Sequence, residues 1–81
     1  MKAWIQVMLK PEVLDPQGVA IQRASASLGH ATIRSVRQGK IFEIELDAES
    51  EELARTVLGE LCEKLLSNPV IERYEILRIG S

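Results

Sequence analysis

The stretch that most constrains this chain is Leu53 to Pro69, LARTVLGELCEKLLSNP. Leu53, Ala54, Val57, Leu58, Leu61, Cys62, Leu65 and Leu66 recur at helical spacing and form one broad apolar stripe. A strand would divide them between two faces, so the spacing predicts an amphipathic helix. Arg55, Glu60, Glu63 and Lys64 fall on the opposite face, which suits water. Ser50 is placed to cap the first turn, and Glu51 and Glu52 sit where the helix dipole favours negative charge. Asn68-Pro69 stops the helix, because Pro69 has no N–H and disfavours a helical conformation at Asn68. Burying four or five of these leucines and valines is worth on the order of 10 kcal/mol before chain entropy is subtracted. The rest of the chain must therefore build a surface to receive the stripe.

That rest is short. The 81 residues suffice for a single domain, 1–81. A domain of this size buries only about 60% of the surface its unfolded chain exposes, and gains stability by oligomerising or by docking on a larger partner. A net charge of −2 with mixed signs leaves no basic patch to neutralise phosphates, which argues against nucleic acid. One cysteine excludes an intrachain disulfide and a Cys-rich zinc site. Because Cys62 lies on the apolar stripe, it reads as a small buried hydrophobe and not as a reactive thiolate. No run approaches the roughly 18 apolar residues of a membrane span, and no signal-peptide pattern opens the chain. A cytoplasmic location without membrane contact is expected.

Before the main helix, Lys2 to Lys10 alternates as a strand. Ala3, Ile5, Val7 and Leu9 lie on one face; Trp4, Gln6 and Met8 lie on the other. Asp15-Pro16 is a strong helix start, and Ala20, Ile21, Ala24 and Leu28 make a narrow stripe ending at Gly29, which suits a left-handed cap. Gly18 in the first turn marks either a close backbone approach or a frayed turn. Ile33 to Leu46 reads as extended, favouring one long strand kinked near Gly39 over a tight hairpin at Gln38-Gly39. A strand of that length overhangs a small sheet and offers an edge to another subunit. Val70 to Ile79 reads as the last strand, with Tyr74 and Ile76 on one face and Leu77 and Ile79 on the other.

The expected fold is therefore a two-layer α+β sandwich of β-α-β-α-β order, or β-α-β-β-α-β and ferredoxin-like if the middle stretch is a hairpin. Right-handed crossovers would put both helices on one face of the sheet. The other face would carry Trp4, Met8, Ile41, Leu77 and Ile79, an apolar set that a monomer rarely leaves wet, and is the expected face of a homodimer or higher homo-oligomer.

No catalytic constellation emerges. There is no glycine-rich phosphate loop and no nucleophile beside a base. His30, the only histidine, has no second ligand at metal spacing. Glu43 and Glu45 read as a solvated stripe or as partners in salt bridges, and Arg37 and Lys40 around Gly39 as a weak anion signal at most. No catalytic, cofactor-binding or metal-binding residue is expected in this chain.

Three stretches carry a resemblance across nearly the whole chain: Val13-Leu14-Asp15-Pro16-Gln17-Gly18, Val36-Arg37-Gln38-Gly39-Lys40, and Cys62 to Glu72 with Asn68-Pro69 inside it. Together they resemble the PurS family, the small subunit of phosphoribosylformylglycinamidine (FGAM) synthase. Trp4 and the chain after Ile79 stand outside the likeness. The resemblance implies a non-catalytic subunit in purine biosynthesis. It would bridge a glutaminase subunit (PurQ) and a synthetase subunit (PurL) as a homodimer or higher oligomer and support ammonia transfer between them. It implies no cofactor in this chain, since ATP, magnesium and glutamine belong to the partner subunits. It also implies that Asp15, Gln17, Gly18, Arg37, Gly39, Lys40 and Asn68 are the residues to examine for partner contacts. The competing expectation is an ACT-type module that binds a small metabolite between subunits, for which only the Asp15–Gly18 loop offers polar groups.

Overall fold

In the computed structural model, which describes residues 1–80, three strands and two helices follow in β-α-β-α-β order. They are β1 (Lys2–Leu9), α1 (Pro16–Ser27), β2 (Gly39–Glu45), α2 (Glu51–Leu61, extended by a turn over Cys62–Leu66) and β3 (Glu72–Gly80). β1 is central and pairs antiparallel with both neighbours, in the order β2-β1-β3. The alternation in β1 places Ala3, Ile5 and Val7 on the buried face. Leu58 and Cys62 of α2 close over them, and Phe42, Ile44, Leu66, Tyr74 and Ile76 pack around this centre.

The long stripe of α2 is wider than the sheet that receives it. Ala54, Leu58 and Cys62 are fully buried, and Leu61 and Leu66 are half-buried. Leu53, Val57 and Leu65 remain 50%, 56% and 73% exposed. The burial expected of four or five leucines and valines is thus met in full only at Leu58, and the remaining apolar row faces outward. Ser50 caps as expected, its Oγ accepting from Leu53 N–H at 3.1 Å. The end of the helix was not expected to widen, yet Cys62–Leu66 form a π-helical turn. Ser67 N–H reaches back five residues to Cys62 O at 3.0 Å, and Ser67 Oγ donates to the same oxygen at 2.8 Å. The wider turn returns Leu66 to the core.

Two strand expectations change. Ile33–Leu46 is neither one long strand nor a hairpin: only Gly39–Glu45 is a strand, because the stretch before it runs back past α1 and spends its polar groups there. The face assignment of β3 also changes. Ile5 pairs with Ile76 and Trp4 with Arg78, so Leu77 is the extra residue of a β-bulge. The bulge shifts the alternation by one. Ile79 is therefore opposite Ala3 and packs against the core, and does not belong to the outer face with Trp4, Met8, Ile41 and Leu77.

The largest difference concerns α1. Of its residues only Gly18 is buried, and Ala20, Ile21, Ala24 and the following Leu28 stay exposed, so α2 alone covers the sheet. Residues 10–38 leave β1 and return to β2 beside it, where Met8 pairs with Gly39, forming an arm on the sheet. The molecule is consequently long, 51 × 27 × 14 Å with a radius of gyration of 16.0 Å. A compact chain of this length would have a radius of about 12 Å. Its surface, 6002 Å², exceeds by about 1,100 Å² what a compact monomer of 9.0 kDa exposes.

Candidate functional site: an arm clasped to a sheet

The residues singled out by the three sequence stretches meet at the base of the arm. Asp15 is the N-cap of α1, with Pro16 in the first helical position. Its Oδ1 accepts from Gly18 N–H at 3.0 Å, and its Oδ2 accepts from Gln38 N–H at 2.7 Å. One carboxylate therefore starts the outgoing helix and holds the returning chain. Asp15 is only 5% exposed, and both oxygens are occupied. The N–H donors of Gln38 and Gly18, in that order, hold its carboxyl below the ordinary carboxylate range against the opposing effect of burial, and the Arg37 charge adds to them.

Gly18 resolves the choice between a close approach and a frayed turn. A Cβ there would lie 2.0 Å from the carbonyl oxygen of Val36, so the returning chain crosses α1 where only glycine admits it. Arg37 completes the clasp, its Nη1 donating to Val13 O and its Nη2 to Lys10 O, both at 2.9 Å. Gly39 is needed for a different reason. It faces Met8 across the ladder, and a Cβ would sit 2.1 Å from Met8 Sδ and 2.7 Å from Val7 O. The methionine side chain lies across the space the glycine leaves.

An open cleft of about 240 Å³ sits beside this clasp, between the arm base and the sheet. Gln17, Lys40 and Glu72 line it together with Asp15, Gln38 and Gly39. Asn68 stands behind Glu72: Asn68 N–H donates to Glu72 Oε1 at 2.7 Å, and Asn68 Oδ1 accepts from Val70 N–H at 3.1 Å. The turn is tied to the exit of β1 as well, since Lys10 N–H donates to Ile71 O at 2.8 Å. Six of the seven candidate contact residues thus gather around one junction, and Asn68 is one residue contact away. Gln17 and Lys40 are exposed there, whereas Asp15, Gly18, Arg37 and Gly39 work within the chain.

The outer sheet face forms a second, separate surface. Trp4, Ile41 and Leu77 line a shallow depression, with Ile41 59% and Leu77 48% exposed. Arg78, which sequence reasoning did not single out, lies 4.4 Å above the Trp4 ring, a cation–π contact set by their pairing across the ladder. Lys2 and Glu43 form an ion pair at 3.1 Å beside it. Glu43 therefore has a cross-strand partner, as befits a solvated stripe. The signal for Arg78 was available only through the register, because Trp4 and Arg78 are far apart in sequence.

Among the described residues there is no cluster of three or more His, Cys, Asp or Glu side chains that could hold a metal ion. Cys62 is buried beneath the sheet, and burial, with the Glu63 charge beside it, pushes its thiol up. No helix among the described residues is long and apolar enough to cross a membrane. What fold and site define is a protein-contact module: a thin sheet-and-helix body, a clasped arm and apolar rows without a cover.

Residues 2–79 match the family model described as PurS, phosphoribosylformylglycinamidine (FGAM) synthase. A PurS subunit from Mycobacterium leprae is 47% identical over 77 residues, covering 95% of this chain and 94% of the relative. The corresponding subunit from Archaeoglobus fulgidus is 42% identical, covering 95% and 96%. The crystal structure of Methanocaldococcus jannaschii PurS superposes with a TM-score of 0.86 at 41% identity over 98% of both chains. A chain of the PurLQS structure from Thermotoga maritima does so with 0.85 at 31% identity, over 98% and 99%. The chain belongs to the PurS family.

Proposed function

We propose that this chain is the small, non-catalytic subunit of FGAM synthase and that it bridges the glutaminase and synthetase subunits during purine biosynthesis. The observation that carries the proposal is the match to PurS over almost the entire length, reaching a chain of a solved PurLQS structure. The geometry supports the same role. The chain spends the polar groups of Asp15 and Arg37 on holding an arm at a fixed place, and it leaves apolar rows on α2 and on the outer sheet face for other chains. Gln17, Lys40 and Asn68 at the clasp offer polar contacts to the larger subunits; Trp4, Met8, Ile41 and Leu77 are given to contact within a homo-oligomer. ATP, magnesium and glutamine are bound by the larger subunits, and the assembly works in the cytoplasm, where it supports ammonia transfer from one partner to the other.

The test is glutamine-dependent amidation of formylglycinamide ribonucleotide by the two larger subunits, with and without this chain, beside an ammonia-driven control. The bridging role requires the glutamine-dependent rate to switch on while the ammonia-driven rate stays level. No change in either rate, with no three-part complex on a sizing column, refutes it.

A further inference from the structure

Two ties join the outgoing and the returning chain at the base of the arm, and they end in different places. The Arg37 fork ends on Lys10 O and Val13 O, in the loop before α1. The Asp15 carboxylate joins two element starts. Asp15 directly precedes Pro16, the first residue of α1, and Gln38 directly precedes Gly39, the first residue of β2. Their 2.7 Å bond therefore fixes the first turn of α1 to the start of β2. Gln17 stands two residues beyond Asp15, and Lys40 two residues beyond Gln38; both are exposed and both line the cleft. Lys40 is held on the sheet by its pairing with Val7, whereas Gln17 rides on the helix. The group that sets one against the other is the Asp15 carboxylate, which is buried and has both oxygens occupied within the chain. Among the described residues Lys40 has no salt bridge, and Glu72, the other charged side chain exposed at the cleft, is engaged by Asn68 N–H.

We propose that Asp15 is a positioning residue for the glutamine-dependent reaction: it touches no partner and acts through Gln17 and Lys40, which it sets side by side as one two-point contact for a larger subunit. This deepens the bridging role and rests on it. Sequence grouped Asp15 with Gln17 and Lys40 as candidate contacts; the geometry separates them into one residue that orders and two that meet the partner. With the Asp15–Gln38 bond in place, the spacing of the two exposed side chains is fixed before binding, and a partner engages both in one event. Without the bond, a partner must first hold α1 and β2 together, and ordering of that kind costs about 10-fold in affinity. The cost falls on assembly and not on turnover of the assembled enzyme.

The experiment titrates the full chain into the two larger subunits and reads the glutamine-dependent rate, with the ammonia-driven rate as reference. Asp15→Ser keeps the helix start, since serine caps as well as aspartate, but its shorter side chain cannot hold Gly18 and reach Gln38 as well. It should raise the concentration of chain needed for half of the full rate about 10-fold and leave the full rate at saturation unchanged. In a Gln17→Ala/Lys40→Ala background, itself weaker than the parent, the same change should add less than about 2-fold, because the residues it works through are gone. A structural or directly contacting Asp15 would add its full cost in both backgrounds. Gly18→Ala reaches the same bond by another route, since it removes no polar group and drives the chain at Val36 away from α1. It should raise the half-rate concentration in the parent and not in the double variant, and it carries the test alone if amide exchange in β1 shows Asp15→Ser to be unfolded. No rise with either variant, a rise of equal size in both backgrounds, a fall in the rate at saturation, or a Gln17→Ala/Lys40→Ala chain that works like the parent each overturns the positioning role. If the parent supports the glutamine-dependent rate and the variants depart from this pattern, only the positioning role fails; if the parent supports no such rate, the bridging role fails with it.

Discussion

Replacing Gly18 by alanine sets two well-defined effects against each other. Gly18 lies in the first turn of α1 with ordinary helical geometry, so alanine there gains helix propensity worth about 1 kcal/mol. The added methyl would also stand 2.0 Å from Val36 O and 2.9 Å from Val36 C. Those are backbone atoms and cannot rotate aside, so the returning chain must retreat by roughly 1.4 Å to reach an ordinary contact. Overpacking of this kind costs about 1–3 kcal/mol, and a backbone obstacle belongs at the upper end. The retreat also stretches the 2.7 Å bond from Gln38 N–H to Asp15 beyond useful range. The difference is a loss of about 2 kcal/mol, or roughly 30-fold more frequent opening of the arm. Since α1 contributes no side chain to the core, the loss should be local. Amide hydrogen exchange should accelerate about 30-fold in residues 13–38 and stay unchanged in β1 and the middle of α2. Slower or unchanged exchange in the arm would mean that propensity governs this position, and the close approach assigned to Gly18 would be wrong.

Other perturbations probe the body, the clasp and the register. Leu58→Ala empties the centre of the core and should cost about 2–5 kcal/mol in global stability, measured by denaturant unfolding at fixed protein concentration. The clasp should weaken in acid. The folded Asp15 carboxyl lies below its ordinary 3.8, so its stabilising share is complete above that value and is lost as pH falls through the lower folded value. Exchange in residues 13–38, corrected for the intrinsic pH dependence of amide exchange, should therefore accelerate below about pH 4, and Asp15→Asn should start from a faster rate with a flatter acid limb. Cys62, buried and with its thiol pushed up, should resist a thiol reagent at neutral pH until denaturant unfolds the helix. Finally, Ile79→Lys should destabilise the fold of the single chain, a fall in Tm that persists at low protein concentration, whereas Leu77→Lys should act only through the oligomer, a lower mass on a sizing column with the fold of each chain kept.

That last contrast shows where sequence stops. Strict alternation puts Leu77 and Ile79 on one face, and nothing in the residues of β3 announces the bulge, because a bulge belongs to a pair of strands and is fixed by what β1 offers opposite. Local signals were legible where one side chain acts on its own neighbourhood: Ser50 as a cap, Asp15-Pro16 as a start, Gly29 as a left-handed stop at φ 98°. The core face of β1 was legible because burial enforces period two along its buried positions Ala3, Ile5 and Val7. Asp15 as a cap could be read from its place before Pro16, but its second bond to Gln38 joins residues 23 positions apart and has no local signature. The middle stretch goes furthest. Its alternation from Val36 to Leu46 describes a strand longer than the seven residues that form one. Alternation expresses which side chains a strand would bury, whereas a strand exists only where a neighbour accepts its backbone. Within one chain β1 offers that neighbour only as far as Gly39. The longer pattern therefore overstates the strand: before Gly39 the chain gives its polar groups to the arm, Ile33 O to Gln22 and Gln38 N–H to Asp15, and no ladder can form there.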